Sequence, residues 1–200
     1  MLNTAIGTPS AAAAPCPDIE VVYARGTGAP PGIGWLGQAF VDALRPLVGG
    51  RSVGVYAVDY PATYDFANSA SAGARDASTH VQYMAAKCPN TKMVLGGNSQ
   101  GAGVIDLITI GATPVPGFTP VPMLPEVADH VAAVAVFGNP AREIVGAPLT
   151  AISPQYGPQT IDLCAPDDPF CSEGSNFLAH FAYVQNGMVS QAATFVASRL

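Results

Sequence analysis

A short apolar run, residues 92–96, ends on Gly97-Asn98-Ser99-Gln100-Gly101 and passes at once into a helical pattern over 100–111. A strand that becomes a helix within so few residues needs glycine on both sides of the turn, because a Cβ would clash there. Such an elbow holds its central serine hydroxyl clear of the sheet. The helix beyond supplies free N–H groups and positive potential, so the Gln100 amide becomes a donor for a developing oxyanion. The five-residue pattern is weak alone in a chain with 21 glycines. Its setting between strand and helix gives it weight.

The same alternation runs along the whole chain. Strands are expected at 19–24, 52–60, 92–96, 131–137 and 160–163, and helices at 35–48, 69–87, 100–111, 177–184 and 188–200. The strands are near-continuous apolar runs, as suits strands covered on both faces of a parallel sheet. The expected architecture is a single-domain α/β/α sandwich of three layers around a mostly parallel five-stranded sheet. Five prolines between 111 and 125 exclude a regular helix or inner strand and make that stretch a surface loop.

Composition narrows the partners. Apolar residues make up 49% of 200 residues, enough for one sizeable core, and no apolar run approaches a membrane span. A net charge of -6 with only 8 Lys plus Arg disfavours nucleic acid, whose binding rests on phosphate neutralisation, and favours a neutral substrate. Four cysteines without a C-x-x-C pair point to disulfides in an exported protein. They allow three pairings, of which proximity favours Cys164–Cys171 and Cys16–Cys88. The small-residue run 10–15 resembles the zone around a cleavage site. Residues 1–15 are therefore expected to be a mobile remnant ahead of a domain spanning 16–200.

A serine hydroxyl needs a base to become a nucleophile, and the chain has three histidines. His80 falls in a helix and His130 just before the fourth strand. His180 follows the fifth strand, and the chain order Ser, acid, His belongs to this kind of elbow. The acid then lies among Asp162, Asp167 and Asp168. Asp162 is inside the strand, which counts against it. Asp167 and Asp168 lie between Cys164 and Cys171, where a bridge would hold a carboxylate rigidly. Loop-closure entropy assigns that bridge roughly 2–3 kcal/mol and Cys16–Cys88 roughly 4, so the short one suits positioning better than stability.

Cys164-Ala165-Pro166-Asp167-Asp168-Pro169-Phe170-Cys171, with His180 nine residues on, resembles the C-x3-D-x2-C…H arrangement of the cutinase family. The elbow resembles that family's G-x-S-Q-G, and Tyr23-Ala24-Arg25-Gly26-Thr27 its [Y/F]-A-R-G-[S/T] segment. The similarity runs from about Cys16 to the C-terminus and is greatest to actinobacterial, above all mycobacterial, members. It implies a lidless α/β-hydrolase with Ser99, Asp168 and His180 as catalytic triad. It further implies that Thr27 completes an oxyanion hole with Gln100, and that the disulfides are Cys16–Cys88 and Cys164–Cys171. The loop 111–125 is longer than the family pattern.

The implied chemistry is metal-free, cofactor-free acyl transfer to water by a secreted or envelope-associated monomer. Short- to medium-chain, lipidic or polyester esters are the expected substrates, with transient contact to lipid or polymer surfaces. Acetylated carbohydrate is the alternative substrate, and a catalytically idle binding protein the alternative role. Phe177, Leu178 and Phe181 flank His180 and are candidates for an apolar substrate rim, against plain helix packing. Gly32-Ile33-Gly34-Trp35-Leu36-Gly37, with Asp59 22 residues on, mimics a dinucleotide fingerprint. Pro30-Pro31 separates it from the first strand, so it reads instead as a loop beside the oxyanion hole.

Overall fold

The computed structural model describes residues 15–111 and 113–200. The N-terminal segment expected to precede the domain lies, apart from Pro15, outside the described residues. Five strands, β1 (Ile19–Ala24), β2 (Val53–Ala57), β3 (Lys92–Asn98), β4 (Val131–Phe137) and β5 (Thr160–Leu163), form one sheet in the order β2-β1-β3-β4-β5. Every neighbouring pair is parallel, so the sheet is wholly rather than mostly parallel.

Alternate strand residues face opposite sides and build two cores. On one face Val22, Leu95 and Val134 meet α2 (Phe66–Lys87) and α3 (Gln100–Thr109). On the other, Val21, Val94 and Ala135 meet α1 (Gly34–Leu44) and α6 (Met188–Ala197). The two faces account for the near-continuous apolar runs of the inner strands.

Local chemistry moves several boundaries. α1 stops at Leu44 and a 3-10 turn, Arg45–Leu47, takes its expected tail, because Pro46 has no N–H to continue the ladder. β2 covers only Val53–Ala57 of the expected 52–60, while α2 starts a turn early at Phe66. The expected helix at 177–184 is a 3-10 turn, Phe177–Phe181. Two single-turn helices, α4 (Ala141–Ile144) and α5 (Leu149–Ile152), were not expected; each follows a proline at its N-cap.

Disulfides join Cys16 to Cys88 and Cys164 to Cys171. No helix among the described residues is long and apolar enough to cross a membrane. Thr27, Ser99, Asp168 and His180 all follow C-terminal ends of strands, the edge where parallel sheets place their sites.

Candidate active site

Ser99 stands at φ 54°, ψ -124°, directly before α3, a backbone region that residues with side chains avoid. Its neighbours explain how the strain is held. A Cβ on Gly97 would lie 2.3 Å from the Gly101 carbonyl oxygen, and one on Gly101 would lie 2.0 Å from that of Ala24. Both glycines are therefore required by backbone packing. Gln100 opens α3, where an amide has no partner within the helix.

The Gln100 side chain performs a second task, one that sequence reasoning missed. It is buried, donates from Nε2 to the Thr63 carbonyl (2.7 Å) and to Thr27 Oγ1 (3.2 Å), and accepts from Ser69 Oγ (2.8 Å). It thereby ties the loop carrying Thr27 to α2 and to the elbow. Arg25 braces that loop from below. It is buried, donates to the carbonyls of Ala29 and Tyr60 (2.8 Å each), and its guanidinium lies 5.0 Å from the Tyr60 ring centre. The Tyr60 hydroxyl returns a hydrogen bond to the Arg25 carbonyl.

Asp168 is fully buried and accepts three hydrogen bonds. Oδ1 takes the Phe170 amide at 2.9 Å; Oδ2 takes His180 Nδ1 at 2.8 Å and the Tyr183 hydroxyl at 2.5 Å. The Cys164–Cys171 bridge closes the loop on which this carboxylate sits. Asp167 beside it is exposed, with φ 66°. Burial pushes the Tyr183 phenol far above its ordinary value, so it stays a donor. Tyr183 and Gly138 gave no signal in the sequence. A Cβ on Gly138 would lie 2.7 Å from His180 Cε1, so that glycine makes room for the imidazole.

Ser99 and His180 line one cavity of about 420 Å³ together with Thr27 and Gln100. No hydrogen bond joins the Ser99 and His180 side chains among the described residues. Contacts of this kind commonly tighten only around a bound substrate. Phe177 and Phe181 belong to the cavity wall, whereas Leu178, 76% exposed, does not. Phe170 joins them, its ring centre 4.3 Å from that of His180. Gly34, Trp35 and Leu36 from the glycine-rich stretch line the same cavity. The third glycine of that stretch, Gly37, packs so tightly on Tyr23 that a Cβ would lie 2.7 Å from its ring.

The other candidates lie apart from it. His80 pairs with Glu20 at 2.8 Å and stacks on Tyr56, and His130 contacts the Pro89 carbonyl. Asp162 binds Arg142 (2.6 Å), Asn139 and the Leu149 amide, tying β5 to α4 and α5. Among the described residues no cluster of His, Cys, Asp or Glu is placed to hold a metal.

Asn139 also donates to Asp106, whose carboxyl burial, followed by the nearby Asp162 charge, holds well above its ordinary value of 3.8. Folding thus favours the protonated acid. The stability this group contributes is complete below the unfolded value and is lost as pH rises toward the folded one. Asp106→Asn keeps an acceptor for Asn139 and cannot ionise. Its melting temperature should equal the wild type's near about pH 4 and exceed it near about pH 8. A difference that does not change with pH would count against this.

The chain is similar to known proteins over nearly its whole length. Carboxylesterase Culp1 of Mycobacterium tuberculosis is 53% identical over 205 aligned residues, covering 100% of this chain and 89% of that one. Phospholipase Culp4 of the same organism is 52% identical, covering 100% and 85%. The catalytic core domain of acetyl xylan esterase from Trichoderma reesei superposes with a TM-score of 0.80 at 28% identity, covering 93% of this chain and 100% of that one. The family model described as Cutinase matches residues 15–200, a span that holds the elbow, both disulfides and every residue around the cavity, and the chain belongs to the cutinase family.

Proposed function

We propose that this protein is a secreted serine carboxylesterase that works through an acyl-enzyme on Ser99. The observation that carries the reading is the buried Asp168 carboxylate fixing His180 Nδ1 at 2.8 Å, in the wall of the cavity that holds Ser99. With Nδ1–H bound to Asp168, Nε2 is the free base.

Nε2 takes the Ser99 proton as Oγ bonds to the ester carbonyl carbon, and the carbonyl electron pair moves to oxygen. Amides of Thr27 and Gln100 hold that oxyanion. The Thr27 hydroxyl accepts from Gln100 Nε2 and so keeps its own proton for the same oxygen. The imidazolium then protonates the departing alcohol oxygen as the carbon–oxygen bond breaks. Water repeats the sequence and returns Ser99 and the free acid. Loss of one oxyanion donor costs about 10²–10³ in turnover.

Residues 16–200 act as one domain, a monomer exported to an oxidising compartment; the two disulfides support export. The apolar wall supports short- to medium-chain acyl esters of lipids or polyesters as substrates. The likeness to an acetyl xylan esterase supports the second reading, removal of acetyl groups from carbohydrate.

A panel of p-nitrophenyl esters beside acetylated xylan tests both. Turnover of butyrate and longer esters, with little acetate released from xylan, is expected. Efficient xylan deacetylation without butyrate turnover would replace the first reading by the second.

A further inference from the structure

α3 and its C-cap present one face to the cavity: Gly103, Asp106 and Leu107 from the helix and Ile110 from the cap, spaced by three and four residues from the elbow onward. Gly103 is the one residue from 101 to 110 that is not buried. A Cβ there would meet nothing closer than Pro140 Cγ at 3.9 Å. Unlike Gly97 and Gly101, it is not required by backbone packing. Glycine inside a helix is otherwise unfavourable, so the missing side chain marks an opening beside Ser99.

Beyond that opening the wall is aliphatic and aromatic. Phe118 comes from the Pro-rich loop, Ile144 from α4 and Ile152 from α5. The loop is held along α3 by the Val121 amide on the Leu107 carbonyl (2.9 Å) and the Met123 amide on that of Ile108 (3.3 Å). Asp106 is the one acid in this wall among the described residues; it accepts from Asn139, and burial raises its carboxyl well above the ordinary carboxylate range. From Gly103 to Ile110 the helix advances about 10 Å. An extended chain advances about 1.2 Å per bond, so the face matches about eight to ten carbons.

The side of the cavity along α3 and the rim at Phe177 and Phe181 differ in what they suit. The alcohol leaves first and must clear a path for water, which fits the open side at Phe177 and Phe181. The acyl group remains on Ser99 while water attacks, which fits the arm along α3.

We propose that the α3 arm is an acyl-chain subsite for a linear aliphatic chain of about eight to ten carbons, with Gly103 as its specificity-determining residue. This rests on the serine-esterase reading and deepens it.

The test compares p-nitrophenyl decanoate with acetate, so the leaving group is constant and the ratio is insensitive to the folded fraction. In the wild type kcat/KM should rise by up to about fourfold per methylene and level off near decanoate. Gly103→Leu should lower the decanoate-to-acetate ratio by about tenfold or more, and Phe118→Ala should lower it less. Decanoate should also bind Ser99→Ala by calorimetry, and bind Ser99→Ala/Gly103→Leu more weakly. An unchanged ratio in Gly103→Leu would overturn the subsite, as would a chain-length gain confined to the alcohol side of alkyl acetates. Decanoate binding that depends on Gly103, without turnover of any ester, would remove the esterase reading and keep the subsite.

Discussion

Ser99→Ala should lower kcat/KM for p-nitrophenyl butyrate by about a millionfold. The remainder comes from oxyanion stabilisation and binding alone. A serine-directed phosphonate should add one adduct to the wild type, mapped to Ser99, and none to the variant. The fold should survive, because alanine occupies the same backbone conformation and α3 starts from the same glycines. Ser99→Gly makes a second arm. It should be equally inactive yet more stable by about 1 kcal/mol, since glycine adopts φ 54° without strain. A Ser99→Ala protein that retained turnover would remove Ser99 from the mechanism. A Ser99→Gly protein no more stable than Ser99→Ala would show that the elbow stores no strain.

Asp168→Asn should lower turnover by about 10⁴-fold, whereas Asp167→Asn should leave it within a factor of about two. The two aspartates are adjacent, but only Asp168 is buried and faces three donors. An asparagine must aim its NH₂ either at the Phe170 amide or at His180 and Tyr183, setting donor against donor. The first arrangement costs stability, about 1–3 kcal/mol. The second also reverses the imidazole's proton, so that Nε2 no longer accepts from Ser99. Asp167 is exposed at φ 66°, a conformation asparagine tolerates well. Comparable losses in both variants would mean that the loop as a whole, not the Asp168–His180 contact, supports the reaction. Steady-state kinetics with melting temperatures for both variants separates lost orientation from lost fold.

Some of this was legible from local rules. Gly97 could be read because the clash that excludes other residues there, with the Gly101 carbonyl, occurs within five positions of sequence, whereas Gly101 is confined by the Ala24 carbonyl, which only the packed sheet brings against it. The sheet could be read because strands covered on both faces are apolar throughout. The end of α1 at Leu44, set by Pro46 two residues on, was equally local, and extending the helix to Val48 overlooked it. α4 and α5 were missed because four residues complete barely one turn, too few for a helical period to show. Choosing Asp168 over Asp167 needed the family resemblance, because spacing treats neighbouring aspartates alike.

By itself, then, the sequence determined the alternating architecture, the strained elbow, the cysteine content and a short list of acids and bases. Each of those depends on neighbours within a turn or two of chain, or on which faces must be buried. The tertiary structure alone decided which groups meet. It put Tyr183 under Asp168, Gly138 behind His180 and Gln100 Nε2 on Thr27, contacts that join residues 15, 42 and 73 positions apart. It also turned the Pro-rich loop back along α3 to wall the cavity. Periodicity carries no record of such meetings, because they arise from where strand ends converge and from what space the packed helices leave between them.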